Sequence, residues 1–295
     1  MIPPEDTSGR PSSLRYLWRA IRIAVIVWLI MVAYLALQQD TLIYHPSLAD
    51  PVAAEQHAAR FGLEPWRNAS GEVIGYRSLA AANDPRPRAS LIMFHGNAGQ
   101  ALGRTDYIPV FRAAAPDYAL SVYLFEYPGY GARPGHPSQA NFLLHAAEAV
   151  RLVPDGEPLV LFGESLGTGV ASGVASRDPG RVHGLILQTP FDDLASPAQH
   201  LYPLIPVRWI MRDQYPSIKW LRSYQGPVAF LLAGADTIVP AVFGQKLYDA
   251  YAGPKQLFIQ PGAEHNDLLQ ALPPEEWKKA FSFVLPAASA RTGSR

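Results

Sequence analysis

From Leu159 the chain runs through four apolar residues, then Gly163-Glu164-Ser165-Leu166-Gly167, then a stretch dominated by Gly, Ala and Val up to Arg177. This is the most constraining feature of the sequence. A strand that reverses into a helix within one or two residues leaves no room for bulky neighbours at its apex, so small residues flank the apical one. The pattern G-x-S-x-G is common by chance, and its context gives it weight. An apolar strand precedes it, and a helix rich in small residues (Gly167, Gly169, Ala171, Gly173, Ala175) follows, able to press close to a sheet.

The same alternation continues on both sides. Strands are expected at Val73 to Ser78, Ala89 to Phe94, Tyr118 to Phe125, Pro158 to Phe162, Leu185 to Leu187, Val228 to Leu232 and Gln256 to Ile259. Helices are expected at Ser138 to Val153, Ser165 to Arg177 and Glu275 to Val284, the first burying Phe142, Leu143, Ala146, Val150 and Val153 on one side. Such alternation predicts an α/β fold with a mostly parallel central sheet and helices on both faces, functional groups gathering where strands end. The segment Pro197 to Tyr224 interrupts the pattern. It is dense in large apolar groups (Leu201, Tyr202, Leu204, Ile205, Trp209, Met211) and reads as short helices inserted between two strands.

The N-terminus is of a different kind. Residues 1–17 are polar and contain Pro3, Pro4, Gly9 and Pro11, the composition of a flexible tail. From Trp18 the chain turns apolar, and it carries no charge from Ile23 to Leu37. A bilayer needs roughly 20 such residues. The stretch reaches that length if Arg19 and Arg22 reach to the headgroups, with Trp18 and Tyr34 near the two interfaces. A cleaved signal peptide would require small residues in an A-x-A arrangement, and neither Ala33 nor Ala36 has one. A buried core helix is the third reading, against which stand the opening arginines and the lack of a polar face. The expectation is an uncleaved anchor over residues 18–40. Arg10, Arg15, Arg19 and Arg22 precede it and the next arginine is Arg60, so the positive-inside rule puts the tail in the cytoplasm and the globular part outside.

Composition removes several function classes. Lys plus Arg and Asp plus Glu both number 25, and no basic stripe or nucleic-acid motif is present, so no nucleic-acid partner is expected. The chain has no cysteine, which excludes disulfides, thiolate metal sites and a cysteine nucleophile. His45, His57, His136, His145, His183 and His200 show no metal-ligand spacing, and neither a metal nor a cofactor is expected.

A serine hydroxyl needs a base to take its proton and an acid to orient that base. In a fold of this type they follow in the order Ser, Asp or Glu, His, each after a later strand. Asp236, in Gly234-Ala235-Asp236-Thr237, follows the strand Val228 to Leu232, and His265, in Gly262-Ala263-Glu264-His265-Asn266, follows Gln256 to Ile259. Asp192, Asp193, Asp213 and Asp267 are rival acids, each on the wrong segment or too near its partner in sequence. The developing oxyanion needs donors, expected from the backbone N–H of Leu166 and of Asn97 in the loop His95-Gly96-Asn97-Ala98-Gly99. His95 is read as structural and Glu164 as a turn neighbour of Ser165.

With these residues in place, the chain resembles the α/β-hydrolase superfamily, and within it the membrane-anchored Bem46-like serine hydrolases (serine aminopeptidase S33-type domain). Five segments carry the resemblance: Phe94 to Gly99, Glu126 to Gly131, Gly163 to Gly169, Gly234 to Asp236 and Gly262 to Asn266. Pro128 stands where many relatives have Arg. The resemblance implies an α/β-hydrolase domain over 41–287 with a cap insert at about 195–224 and a short tail at 288–295. It also implies cofactor-free hydrolysis of carboxylic esters, thioesters or acyl-lipid substrates by Ser165, Asp236 and His265. In a bacterium the domain would face the periplasm. An aminopeptidase-type activity uses the same three groups but needs an acidic subsite that the sequence does not display; a non-catalytic scaffold would need none of them.

Overall fold

A computed structural model describes residues 13–287; the outer parts of the two expected tails, 1–12 and 288–295, lie outside the described residues. Helix α1, Ser13–Ile43, starts ahead of the expected Trp18 because nothing between Leu14 and Leu17 breaks a helix. It also continues past Gln38-Gln39-Asp40, since Gln39 is buried rather than solvated.

A two-residue pair (His45–Pro46 with Ala98–Gly99) stands apart from the main sheet, whose eight strands are interleaved with helices, α2 (Pro51–Arg60) and α3 (Tyr107–Ala114) first among them: β1 Glu64–Arg67, β2 Val73–Ser78, β3 Arg88–Phe94, β4 Ala119–Phe125, β5 Leu159–Glu164, β6 Gly184–Gln188, β7 Val228–Ala233 and β8 Lys255–Gln260. The sheet order is β8-β7-β6-β5-β3-β4-β2-β1, parallel from β8 to β4, with β2 antiparallel to β4 and β1 antiparallel to β2. The expected mostly parallel sheet is therefore present. Its edge strand β1 was not foreseen, being four residues long with a proline and two charged residues, features that also keep an open edge from pairing with another chain.

Alternate residues of each inner strand feed opposite faces. Leu159 and Leu161 join one core with Phe142, Leu143 and Val174 from α4 (Gln139–Arg151) and α5 (Leu166–Arg177). Val160 and Phe162 join the other, with Phe111 of the helix Tyr107–Ala114 and Trp277 and Phe281 of the helix Pro274–Val284. Burying both faces is why these strands read as unbroken apolar runs. The register brings Phe94 of β3 level with Gly163 of β5, and Glu164 level with Gln188 of β6. The loops after β3, β5, β7 and β8 consequently share one edge of the sheet.

The insert folds as three short helices, Ala195–Leu201, Val207–Ile210 and Ser217–Trp220. It docks on the second half of α1. Ile205 and Val207 pack with Val32 and Leu35, and the Trp28 indole N–H donates to the Leu204 carbonyl at 2.9 Å. The Gln39 amide donates to the Ile210 carbonyl at 3.3 Å and accepts from the Arg212 N–H at 2.8 Å.

Candidate active site

Ser165 sits between β5 and α5 at φ 51°, ψ −115°, a conformation that costs energy for a residue with a Cβ. Its surroundings hold it there. The Ser165 N–H donates to the Gln188 carbonyl at 2.9 Å, and its carbonyl accepts from the Thr168 N–H at 2.9 Å and hydroxyl at 2.6 Å. The two flanking glycines answer to different neighbours. A Cβ on Gly163 would stand 2.5 Å from the Gly167 carbonyl oxygen, and one on Gly167 would overlap the Phe94 carbonyl. The turn thus packs against both α5 and β3, which projects the serine side chain from the sheet edge.

His265 and Asp236 come to the same edge on loops stitched together by hydrogen bonds from the Gly234 N–H to Gln260 O (2.8 Å) and from the Ala235 N–H to Ala263 O (2.9 Å). The His265 Nε2 lies 2.9 Å from the Ser165 Oγ, and its Nδ1 lies 2.6 Å from the Asp236 Oδ2. The other carboxylate oxygen of Asp236 accepts from the N–H groups of Ile238 (2.9 Å) and Val239 (2.7 Å). Asp236 is therefore fixed on both oxygens, and a carboxylate so held orders the imidazole with Nδ1 as donor and Nε2 free to accept from the serine hydroxyl. Both residues are buried.

The rival acids are engaged elsewhere. Asp192 accepts from Ser196 (2.9 Å) and pairs with Lys246 (2.5 Å), Asp193 pairs with Arg208, Asp213 accepts from Tyr44 and Gln139, and Asp267 accepts from the Glu264 N–H.

The loop after β3 brings Asn97 to the same cavity as Ser165 and Leu166. A Cβ on Gly96 would stand 3.6 Å from the Ser165 Cβ, so this loop approaches the serine closely. Among the described residues neither the Asn97 N–H nor the Leu166 N–H has a hydrogen-bond acceptor. The loop is braced from below. Tyr127 donates to the His95 carbonyl (2.8 Å) and Tyr130 to the Asn97 carbonyl (2.7 Å), while His95 is buried with its Nε2 3.3 Å from Glu126. Burial pushes the Tyr127 hydroxyl well above the usual phenol range, so it stays a donor at any ordinary pH.

Two parts of the site add to the reading of the sequence, in which the apolar insert is either a packed cap or the wall of an acyl pocket. Glu164 is more than a turn neighbour: it forms a two-pronged ion pair with Arg104, at 2.5 and 3.1 Å. The available signal was the carboxylate itself, since an acid closing an apolar strand calls for a counter-charge. The second is the cavity above Ser165, of about 260 Å³, walled by Phe191, by the insert (Leu201, Tyr202, Ile205) and by Leu35, Gln39 and Ile43 of α1. No group of three or more potential metal ligands occurs among the described residues.

Comparison with known proteins agrees with this architecture. The family model described as alpha/beta hydrolase fold matches residues 89–209. The uncharacterised protein Rv2307c of Mycobacterium tuberculosis is 33% identical over 261 residues, covering 84% of this chain and 89% of the relative. Protein bem46 of Schizosaccharomyces pombe is 26% identical, covering 82% of this chain and 84% of its own length. Among solved structures, Est1E from Butyrivibrio proteoclasticus with bound ferulic acid superposes with TM-score 0.56 at 17% identity, over 70% of this chain and 92% of that one. A monoacylglycerol lipase from Paleococcus ferrophilus gives TM-score 0.53 at 20% identity, over 70% and 96%. At those identities the likeness speaks to the fold.

Proposed function

Since the chain belongs to the α/β-hydrolase family, we propose that it is a serine hydrolase that cleaves carboxylic esters or thioesters of acyl substrates through Ser165, His265 and Asp236. The observation that carries this reading is the unbroken hydrogen-bond chain from Asp236 through His265 to the Ser165 Oγ. His265 Nε2 takes the hydroxyl proton as Oγ bonds to the acyl carbon. Asp236 holds the Nδ1–H and stabilises the imidazolium that forms. The carbonyl oxygen, now negative, receives the N–H groups of Asn97 and Leu166, a pair of donors each worth roughly 10²–10³ in turnover. Collapse breaks the bond to the leaving alcohol or thiol, which takes the proton from Nε2. Water then attacks the acyl-enzyme with His265 again as base, and the acid is released.

An ester fits this cavity better than a peptide. Its lining is mostly apolar, and no Asp or Glu among the described residues lines it to receive a free amine. We read α1 as an uncleaved anchor. It is long and apolar enough to cross a bilayer, its side chains from Ile23 to Ile30 face outward, and removing it would strip Leu35, Gln39 and Ile43 from the cavity wall. By the positive-inside rule, Arg15, Arg19 and Arg22 favour a cytoplasmic N-terminal end and a hydrolase domain outside.

Turnover of p-nitrophenyl butyrate by the full chain tests the reading. Ser165→Ala is expected to abolish it, and unchanged turnover in that variant would refute the assignment.

A further inference from the structure

Helix α1 has 31 residues. At about 1.5 Å per residue it is roughly 46 Å long, well beyond the ~30 Å of hydrocarbon in a bilayer. Its C-terminal part has another use: Leu35, Gln39, Leu42 and Ile43 form one wall of the cavity above Ser165. The insert grips the helix deeper still, since the Leu204 carbonyl accepts from Trp28. With Arg19 at one interface, about 20 residues of span end near Leu37. Trp28 then lies about 13 Å below that level along the helix axis, close to the depth of one hydrocarbon leaflet.

The tip of the insert is built for such surroundings. Leu201 to Val207 contains no charged residue, and Leu204 and Trp209 are 81% and 91% exposed. Arg208, the first charge after it, is paired with Asp193 at 2.9 Å. The irregular backbone of the tip satisfies most of its own polar groups, the Leu204 N–H excepted, which lowers the cost of placing non-helical chain in hydrocarbon. The Gln199 side-chain amide donates to the carbonyls of Tyr202 (3.1 Å) and Ile205 (2.9 Å), and its oxygen accepts from the Val207 N–H (3.1 Å). Pro203 and Pro206 bring no N–H, the Ile205 N–H bonds to Tyr202 O, and Trp28 covers Leu204 O. The half-buried Gln199 side chain is thus given over to the tip's own backbone.

We propose that the tip Leu201–Val207 is embedded in the leaflet on the far side of the membrane from Arg15, Arg19 and Arg22, and that the cavity between it and α1 takes the acyl chain of a lipid ester directly from that leaflet. The anchor helix is thereby one wall of the acyl site as well as a tether. The lipid substrate rests on the serine-hydrolase reading; the placement of the tip does not.

Because the chain has no cysteine, single labels are introduced cleanly. Leu204→Cys and Trp209→Cys in the full chain, each carrying an environment-sensitive nitrobenzoxadiazole dye, are reconstituted in phosphatidylcholine vesicles, with Leu144→Cys on the exposed face of α4 as the aqueous reference. The tip labels are expected to emit to the blue of the reference, to be quenched by nitroxides on lipid acyl chains and to be shielded from iodide. Iodide quenching equal to that of the reference overturns the proposal. In the second arm, Leu204→Glu is expected to lower hydrolysis of p-nitrophenyl palmitate dispersed in those vesicles by roughly tenfold or more, since a carboxylate is driven out of hydrocarbon. Hydrolysis of p-nitrophenyl acetate and fluorophosphonate labelling of Ser165 should stay as in the parent. Equal loss on both esters, or on neither, contradicts lateral entry from the leaflet. Absence of labelling and turnover in the parent defeats the hydrolase reading instead, while the quenching result still decides where the tip lies.

Discussion

The side-chain amide of Asn97 donates to the carbonyl of Ile43, the last residue of α1, at 2.8 Å. The loop that approaches Ser165 after β3 is thus tied to the end of the membrane-type helix. His45 and Ser47 extend the tie by donating from their N–H groups to the carbonyls of Asn97 and Gly99. The Asn97 backbone N–H survives in Asn97→Ala while the tether does not. That variant is expected to lose about 1 kcal/mol of stability and to turn over short esters more slowly with little change in KM. Denaturant melts and steady-state kinetics on one preparation check both parts.

The hydrogen-bond chain through His265 makes its members act as a unit. Ser165→Ala, His265→Ala and the double variant are expected to fall to nearly the same residual rate, each losing roughly 10⁴-fold or more. Asp236→Asn keeps the size of the side chain but cannot hold the Nδ1–H as a carboxylate does, and is expected to lose about 10⁴-fold as well. Independent, multiplicative losses in the double variant would contradict a shared mechanism.

Arg104 and Glu164 pair with side chains about one-fifth and one-eighth exposed. Removing the cation alone leaves a mostly buried carboxylate without a partner, so Arg104→Met is expected to destabilise by about 2–4 kcal/mol. The double change Arg104→Met with Glu164→Gln should recover a good part of that. A thermodynamic cycle from urea melts measures the coupling.

Gly167 has no room for a methyl group, because a Cβ there would overlap the Phe94 carbonyl at the end of β3. Gly167→Ala is expected to push α5 from β3 and displace Ser165, lowering turnover by more than about tenfold. Gly103→Ala, where a Cβ would meet open space, should leave turnover unchanged and serves as the reference.

Truncation separates the two uses of α1. Removing residues 1–27 spares the helical segment that packs on the insert and should leave hydrolysis of short soluble esters nearly intact in detergent. Removing residues 1–44 also takes Leu35, Gln39 and Ile43 from the cavity wall and the Asn97 tether. That form is expected to lose most activity and to aggregate through the uncovered insert.

Much of this was legible in the sequence, for a physical reason. The inner strands are buried on both faces, so Ala89 to Phe94 and Val228 to Leu232 stand out as apolar runs, and the loops after them hold the polar residues that cannot be inside. The candidates Asn97, Ser165, Asp236 and His265 all lie just past strand ends, where such a sequence directs attention. What escaped notice depends on contacts without a local pattern. The helix Tyr107–Ala114 carries Pro109 in its first turn, and the helix Ala241–Ala250 starts directly after a proline, so neither shows a clear beginning. The bonds between α1 and the insert join residues more than 170 apart, and no periodicity links them. Arg104 lies 60 residues from Glu164.

The decisive measurement is peptide mass spectrometry of the full chain after reaction with a fluorophosphonate. A nucleophile activated through His265 predicts a single phosphonyl adduct on the peptide containing Ser165, lost in both Ser165→Ala and His265→Ala. An adduct on another residue, or one on Ser165 that forms as fast without His265, would contradict it.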